Sequence, residues 1–213
     1  MRYTVRHGCF ETNSSSMHSI VLTNIEKESD KGEWYIHNGR TKIWSYDLSF
    51  GRSPFRLLTT MKDKICFAIA SFSDDDEKIE EIREIAREIF GCELDIQTEK
   101  IEEYRRKDNK EYISSWDVEW IDDPNDHTKE IAIYKPDPSL EIEYTESEVI
   151  YSHIDHQSFG LLGGFLSKNN ISLRDFITKA KYMVAIDGDE YCELENIMKS
   201  GIVDQTKIVE VYG

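Results

Sequence analysis

The sequence predicts an α+β domain, a mixed or mainly antiparallel sheet with four or five helices packed on it. Three observations predict it. Short runs rich in β-branched and aromatic residues, such as Ile20-Val21-Leu22 and Ile208-Val209-Glu210-Val211-Tyr212, alternate with longer segments whose apolar residues recur every three or four positions. An Asn38-Gly39 pair sits between two such runs, the strongest short-range hairpin signal a sequence can carry. At 213 residues, 39% hydrophobic and 32% charged, the chain is long enough to bury one core and too apolar to be disordered.

Taken in order, residues 17–23 and 33–45 read as strands, the second folded at Asn38-Gly39 with Trp34-Tyr35-Ile36-His37 on one arm and Thr41-Lys42-Ile43-Trp44 on the other. Ser53-Pro54 is expected to open a helix, with Ser53 as cap and Pro54 at the first helical position. Leu58, Met61, Ile65, Ala68, Ile69 and Phe72 follow at helical spacing and predict one buried face. Asp74-Asp75-Asp76 suits the positive end of a second helix. Ile79, Ile82, Ile85, Ala86 and Ile89 form its stripe, and Gly91 ends it. Its Glu and Arg residues, on the opposite side, read as a solvated face laced with i,i+4 pairs.

The middle third is charged, with Trp116 and Trp120 on an alternating run, a loop at Asp122–Asp126, and short strands at 131–134 and 140–144 split by Pro136 and Pro138. One domain over residues 1–213 is expected, with an irregular insertion or a sheet edge at about 99–145. Beyond it, Ser158 can cap a helix carrying Leu161, Leu162, Phe165 and Leu166, and Ser172 with Asp175 resembles a capping box for a shorter one. Tyr182–Ile186 is an apolar run of buried-strand type, followed by a helix from about Tyr191 to Lys199 and a last strand at 208–212.

Charge narrows the function. The chain holds 42 acidic and 26 basic residues, a net −16, which argues against direct nucleic-acid binding because phosphates are bound by cations. Such a surface either keeps the protein soluble or imitates nucleic acid toward a protein that binds it. No run of ~18 apolar residues is present, so no membrane helix is expected. Met1-Arg2-Tyr3-Thr4-Val5 lacks the apolar core of a signal peptide, and a cytoplasmic protein is expected. Cys9, Cys66, Cys92 and Cys192 form no C-x-x-C pair and read as reduced thiols.

Three polar strings could carry chemistry. The first, Glu11-Thr12-Asn13-Ser14-Ser15-Ser16-Met17-His18-Ser19, places a carboxylate, a carboxamide, hydroxyls and an imidazole at the mouth of a strand. Glu11, Asn13, Ser14, Ser15, Ser16 and Ser19 are candidate ligand-binding residues, and His18 can orient a ligand or move a proton. The same residues can equally build a tight turn with His18 as a satisfied strand residue. The second string is His153-Ile154-Asp155-His156-Gln157-Ser158. Asp155 and His156 are catalytic candidates, since a carboxylate fixes the tautomer of a histidine and raises its basicity. Gln157 and Ser158 are candidate ligand-binding residues, Ser158 otherwise being only a helix cap. The third, Asp187-Gly188-Asp189-Glu190, offers Asp187, Asp189 and Glu190 as weak ligands for a divalent cation, or as a turn that charges the start of the following helix. No cofactor is expected otherwise.

Gly8-x-Phe10-Glu11-Thr12-Asn13-Ser14-Ser15-Ser16-x-His18-Ser19 resembles the opening signature of an uncharacterised family of proteins from bacteriophages and mobile elements of Gram-positive bacteria. Phe50-Gly51 followed by Pro54, with Asp63-Lys64 further on, is similar to a second segment of that family. Ile154-Asp155-His156-Gln157-Ser158 is similar to a third, and Asp187–Tyr191 to a fourth. The resemblance implies a phage or prophage accessory gene and one site shared by the first and third segments; it transfers no catalytic role. The expected function is therefore a small acidic cytosolic accessory protein whose polar pocket binds or processes a small polar ligand, for instance a nucleotide. The alternative is a non-enzymatic acidic inhibitor of a host nucleic-acid-binding protein, of anti-defence type.

Overall fold

The computed structural model describes residues 17–51, 54–124, 126–154, 158, 160–187 and 194–212, and these form five α-helices and thirteen strands in an α+β fold. Contacts divide the chain into two compact units, residues 1–97 with 150–213, and residues 98–149.

The first unit is organised by β1 (Met17–Thr23), which lies antiparallel between β12 (Tyr182–Asp187) and β13 (Ile208–Tyr212); β4 (Arg56–Leu58) pairs with the far side of β12. Every residue of β12 is buried, as its unbroken apolar run predicts. Alternation splits β1 between two cores. Ile20 faces Val184 and Leu58 in the large core, whereas Val21 faces Met183 in a smaller one closed by Ile197 of α5 (Leu194–Lys199) and by Val203 and Ile208.

The large core is centred on α1 (Met61–Ser71), which touches α2 (Asp76–Phe90), α3 (Leu161–Asn169) and α4 (Leu173–Thr178). That neighbourhood explains why α1 is buried nearly all round, with Met61 and every residue from Lys64 to Ala70 inside, rather than along the single stripe expected. The helix also begins later than Ser53-Pro54 suggested. Arg56–Leu58 is a strand, and Thr60 is the cap, its Oγ1 accepting from the Asp63 N–H at 3.1 Å and donating to Asp63 Oδ2 at 2.7 Å. The second helix starts and stops as predicted, with Asp75 capping at Lys78 N and Gly91 at φ 68°.

The Asn38-Gly39 turn forms with both residues at positive φ, yet only His37 bridges Arg40 across it. β2 (Arg40–Ile43) instead pairs in parallel with β5 (Glu93–Ile96), so tertiary pairing overrides the local hairpin. A second short parallel pair joins β3 (Ser49–Phe50) to β11 (His153–Ile154).

The second unit is built of strands. β6 (Thr98–Arg106) lies between β7 (Tyr112–Ile113) and β10 (Ile142–Ile150), and β8 (Val118–Asp123) forms a hairpin with β9 (Asp126–Tyr134). Asp122, Asp123 and Asp126 therefore belong to strands rather than to a loop. Tyr104, Ile113 and Val118 are its buried centre, with Tyr144 and Trp120 stacked edge-to-face against one another at 5.2 Å.

Candidate functional site

The start of β1 presents His18 to the α1 side of the sheet. The imidazole is 2% exposed and meets the ring of Phe67 edge-on at 5.8 Å, while Phe67 meets Phe50 in the same way at 5.3 Å. His18 Nε2 lies 2.6 Å from the Phe50 carbonyl oxygen. A carbonyl can only accept, so Nε2 carries the proton and donates, and in the neutral ring the lone pair is on Nδ1. The backbone N–H of His18 donates to Ser158 Oγ at 3.2 Å, a buried contact across 140 residues of sequence.

These bonds draw together the segments singled out in the sequence. His18 lies next to last in the first polar string, Phe50 of the Phe50-Gly51 pair supplies its carbonyl, and Ser158 ends the second string. β3 and β11 bring the last two into register, His153 opposite Ser49 and Ile154 opposite Phe50. A Cβ at Gly51 would lie 2.4 Å from the His153 ring, so that exposed ring packs over the glycine and would have to swing aside for any side chain there. The third string starts at the same end of the sheet, with Asp187 opposite Met17 and Ile186 opposite His18. Arg56 continues that row on β4, its guanidinium 5.3 Å from the Phe50 ring and its Nη2 donating to the Ser49 carbonyl at 3.3 Å.

Other expected residues fall differently. Ser19 is buried, but alternation turns it to the opposite face, beside Ala185 of the smaller core. Ser158 is not a helix cap: α3 begins after Gly160, at φ 79°, and the serine hydroxyl serves β1 instead. Asp187 accepts from Asn196 Nδ2 at 2.9 Å, which ties the end of β12 to α5. Among the described residues no group of three or more His, Cys, Asp or Glu is placed to hold a metal ion. Glu11, Asn13, Ser14, Ser15 and Ser16, Asp155, His156 and Gln157, and Asp189 and Glu190 lie outside the described residues.

One buried charge, quoted above only as part of the Asp63-Lys64 resemblance, has a structural role that the sequence does not announce. Lys64 is fully buried on α1, and its Nζ donates to Ser29 Oγ at 2.7 Å, the Lys179 carbonyl at 2.9 Å and the Tyr182 carbonyl at 3.1 Å. Burial pushes the ammonium down to about 7, with Asp63 beside it pulling the other way. Three acceptors match the three hydrogens of the charged form, so Lys64 ties α1 to the α4–β12 connection and to the segment after β1. Its signal lay in its position, three residues after Met61 and four before Ala68 on the apolar stripe. Cys66, two residues on, is pushed up to about 12 by burial and then by Asp47 and Asp63, and is inert as a nucleophile at neutral pH.

Two open clefts of about 280 and 360 Å³ lie elsewhere, by Glu28, Asp175 and Lys179, and neither is lined by His18 or Ser158. In the first, Lys179 pairs with Glu28 and Arg174 with Glu88, leaving little net charge to attract an ion. No helix among the described residues is long and apolar enough to cross a membrane. No protein-family model matches the chain, no curated protein matches it, and no solved structure matches it.

Proposed function

We propose that the chain is an accessory protein of a bacteriophage or mobile element, acting in the bacterial cytoplasm, that binds or processes a small polar ligand at the His18 end of β1. A nucleotide is the first class to test. The observation that carries this reading is the double tether of His18, by Nε2–H to the Phe50 carbonyl and by its backbone N–H to Ser158 Oγ. A buried imidazole held in one tautomer, with its basic nitrogen fixed as Nδ1, is suited to accept a hydrogen bond or a proton at a set position. The first polar string, with Glu11, Asn13 and Ser14–Ser16, directly precedes it in sequence and contains the kinds of donors and acceptors a polyhydroxyl or anionic group would need. The phage origin rests on the resemblance of the four segments, three of which border His18 or its carbonyl partner. No metal is assigned a role.

The test is a titration of the full chain with nucleoside mono- and triphosphates, followed by the NMR signals of the His18 ring. Saturable shifts of those signals are expected, together with a calorimetric binding isotherm that is lost in His18→Gln. No response of the His18 ring to any of them would remove the nucleotide, and cell-based phage or defence activity surviving in His18→Gln would remove the site.

A further inference from the structure

The β8–β9 hairpin stands apart in charge and in packing. Residues 98–149 hold 16 acidic against 7 basic residues, a net −9, more than half of the chain's −16 in about a quarter of its length. Within the hairpin, Asp122 stands directly opposite Glu130. Like charges opposite one another on neighbouring strands destabilise the pair, and Lys129, 2.9 Å from Asp126, is the basic residue within β8 and β9. The two strands form a sheet of their own, so both outer edges carry unpaired backbone donors and acceptors among the described residues.

Apolar surface accompanies the charge. Trp120 and Ala132 turn toward Tyr104 and Tyr144, which puts Ile121, Ile131 and Ile133 on the other face, where they join no hydrophobic cluster among the described residues. Trp116, at the foot of β8, is 86% exposed, although its backbone is held by Lys135 Nζ donating to its carbonyl at 2.8 Å. A large aromatic on a held backbone is an anchor for which only the side-chain rotamer remains to be ordered on binding.

We propose that this hairpin docks a cationic protein segment, which adds as a strand to its free edge, neutralises the opposed carboxylates and packs against Trp116. Charge selects the occupant. A second copy would bring another net −9 and be repelled, and nucleic acid would be repelled for the same reason. An extended Lys- or Arg-rich segment supplies both the missing charge and the backbone partners. A protein that binds nucleic acid presents such segments. The inference is independent of the ligand assigned to His18.

The test uses the full chain and a synthetic peptide of alternating lysine and valine, titrated at low and at high salt. Three variants are compared: Trp116→Ala, the set Glu119→Lys, Asp122→Lys and Glu130→Lys, and an equal charge change on α2, Glu80→Lys, Glu84→Lys and Glu88→Lys. Trp116→Ala and the hairpin set should each weaken binding by roughly tenfold or more, the α2 set by no more than about twofold, and high salt should weaken the wild type. Trp116→Ala alters neither charge nor backbone and keeps the test decisive if the hairpin set misfolds. Absence of binding, equal losses in the two charge sets, or an unaffected Trp116→Ala would overturn the proposal.

Discussion

The two units differ in the polar bonds that reach their interiors. In the first, buried donors reach partners far away in sequence: Lys64 bonds to carbonyls 115 and 118 residues on, and the His18 N–H to a hydroxyl 140 residues on. In the second, polar pairs are made at the surface, between neighbouring strands as for Lys100 with Glu146, or just beyond their ends as for Lys107 with Glu141. A buried donor left without a partner costs far more than an exposed ion pair contributes. The first unit is therefore specified by a few interior bonds, and the second by its aromatic centre, with charge left over for a partner.

The sharpest way to break that comparison is at the packing beneath His18. Phe67→Ala removes a fully buried ring that meets both His18 and Phe50, and should destabilise the first unit by about 3–5 kcal/mol. Thermal melting decides it, and an unchanged transition would show that His18 is not held by that ring.

Lys64 tests the interior bonds through pH. Its folded-state value is near 7 and its ordinary value 10.5, so the folded protein gives up this proton first as pH rises. Below about pH 7 the group is charged in both states and its burial penalty is present in full; between about 7 and 10.5 the penalty is relieved. Wild-type stability should therefore rise with pH in that window relative to Lys64→Met, by at most about 1.4 kcal/mol per pH unit. Parallel stability profiles of the two proteins would contradict it.

Gly51→Ala should cost about 1 kcal/mol or less, because the new methyl displaces only the exposed His153 ring. Most of that loss should disappear in the double variant with His153→Ala, measured as a thermodynamic cycle. An additive double variant would mean that the two residues do not touch.

The smallest effect belongs to the second unit. Lys107→Ala breaks an ion pair whose side chains are both exposed, and the melting temperature should not move beyond error. A clear drop would make the surface pairs structural and weaken the contrast between the units.

What was legible in the sequence was local. The Asp75 cap, the Gly91 stop, the buried run of β12 and the turn at Asn38-Gly39 follow from residues close together, and all four form. What was hidden depends on pairing at a distance. The arm Trp34–Ile36 has the pattern of a strand, yet β2 finds its partner at Glu93–Ile96. Ser158 has the position of a cap, yet its hydroxyl is taken by β1. Ser53-Pro54 is a sound local signal for the start of α1, yet β12 draws Arg56–Leu58 into the sheet and the helix starts after it. At the site, His18 was legible as a polar residue ahead of an apolar run. Its partner at Phe50 was not, since a backbone carbonyl has no signature in sequence.

The most direct test of the central claim, that Phe50 fixes the His18 ring for chemistry at Nδ1, is the nitrogen NMR spectrum of that ring in the full chain. The expected result is a ring that carries its proton on Nε2, so that Nδ1 bears the lone pair whenever the ring is neutral, and loss of this single tautomer in Phe67→Ala. A ring protonated at Nδ1 alone, or one exchanging freely between both tautomers, could not hold the Phe50 carbonyl and would contradict it.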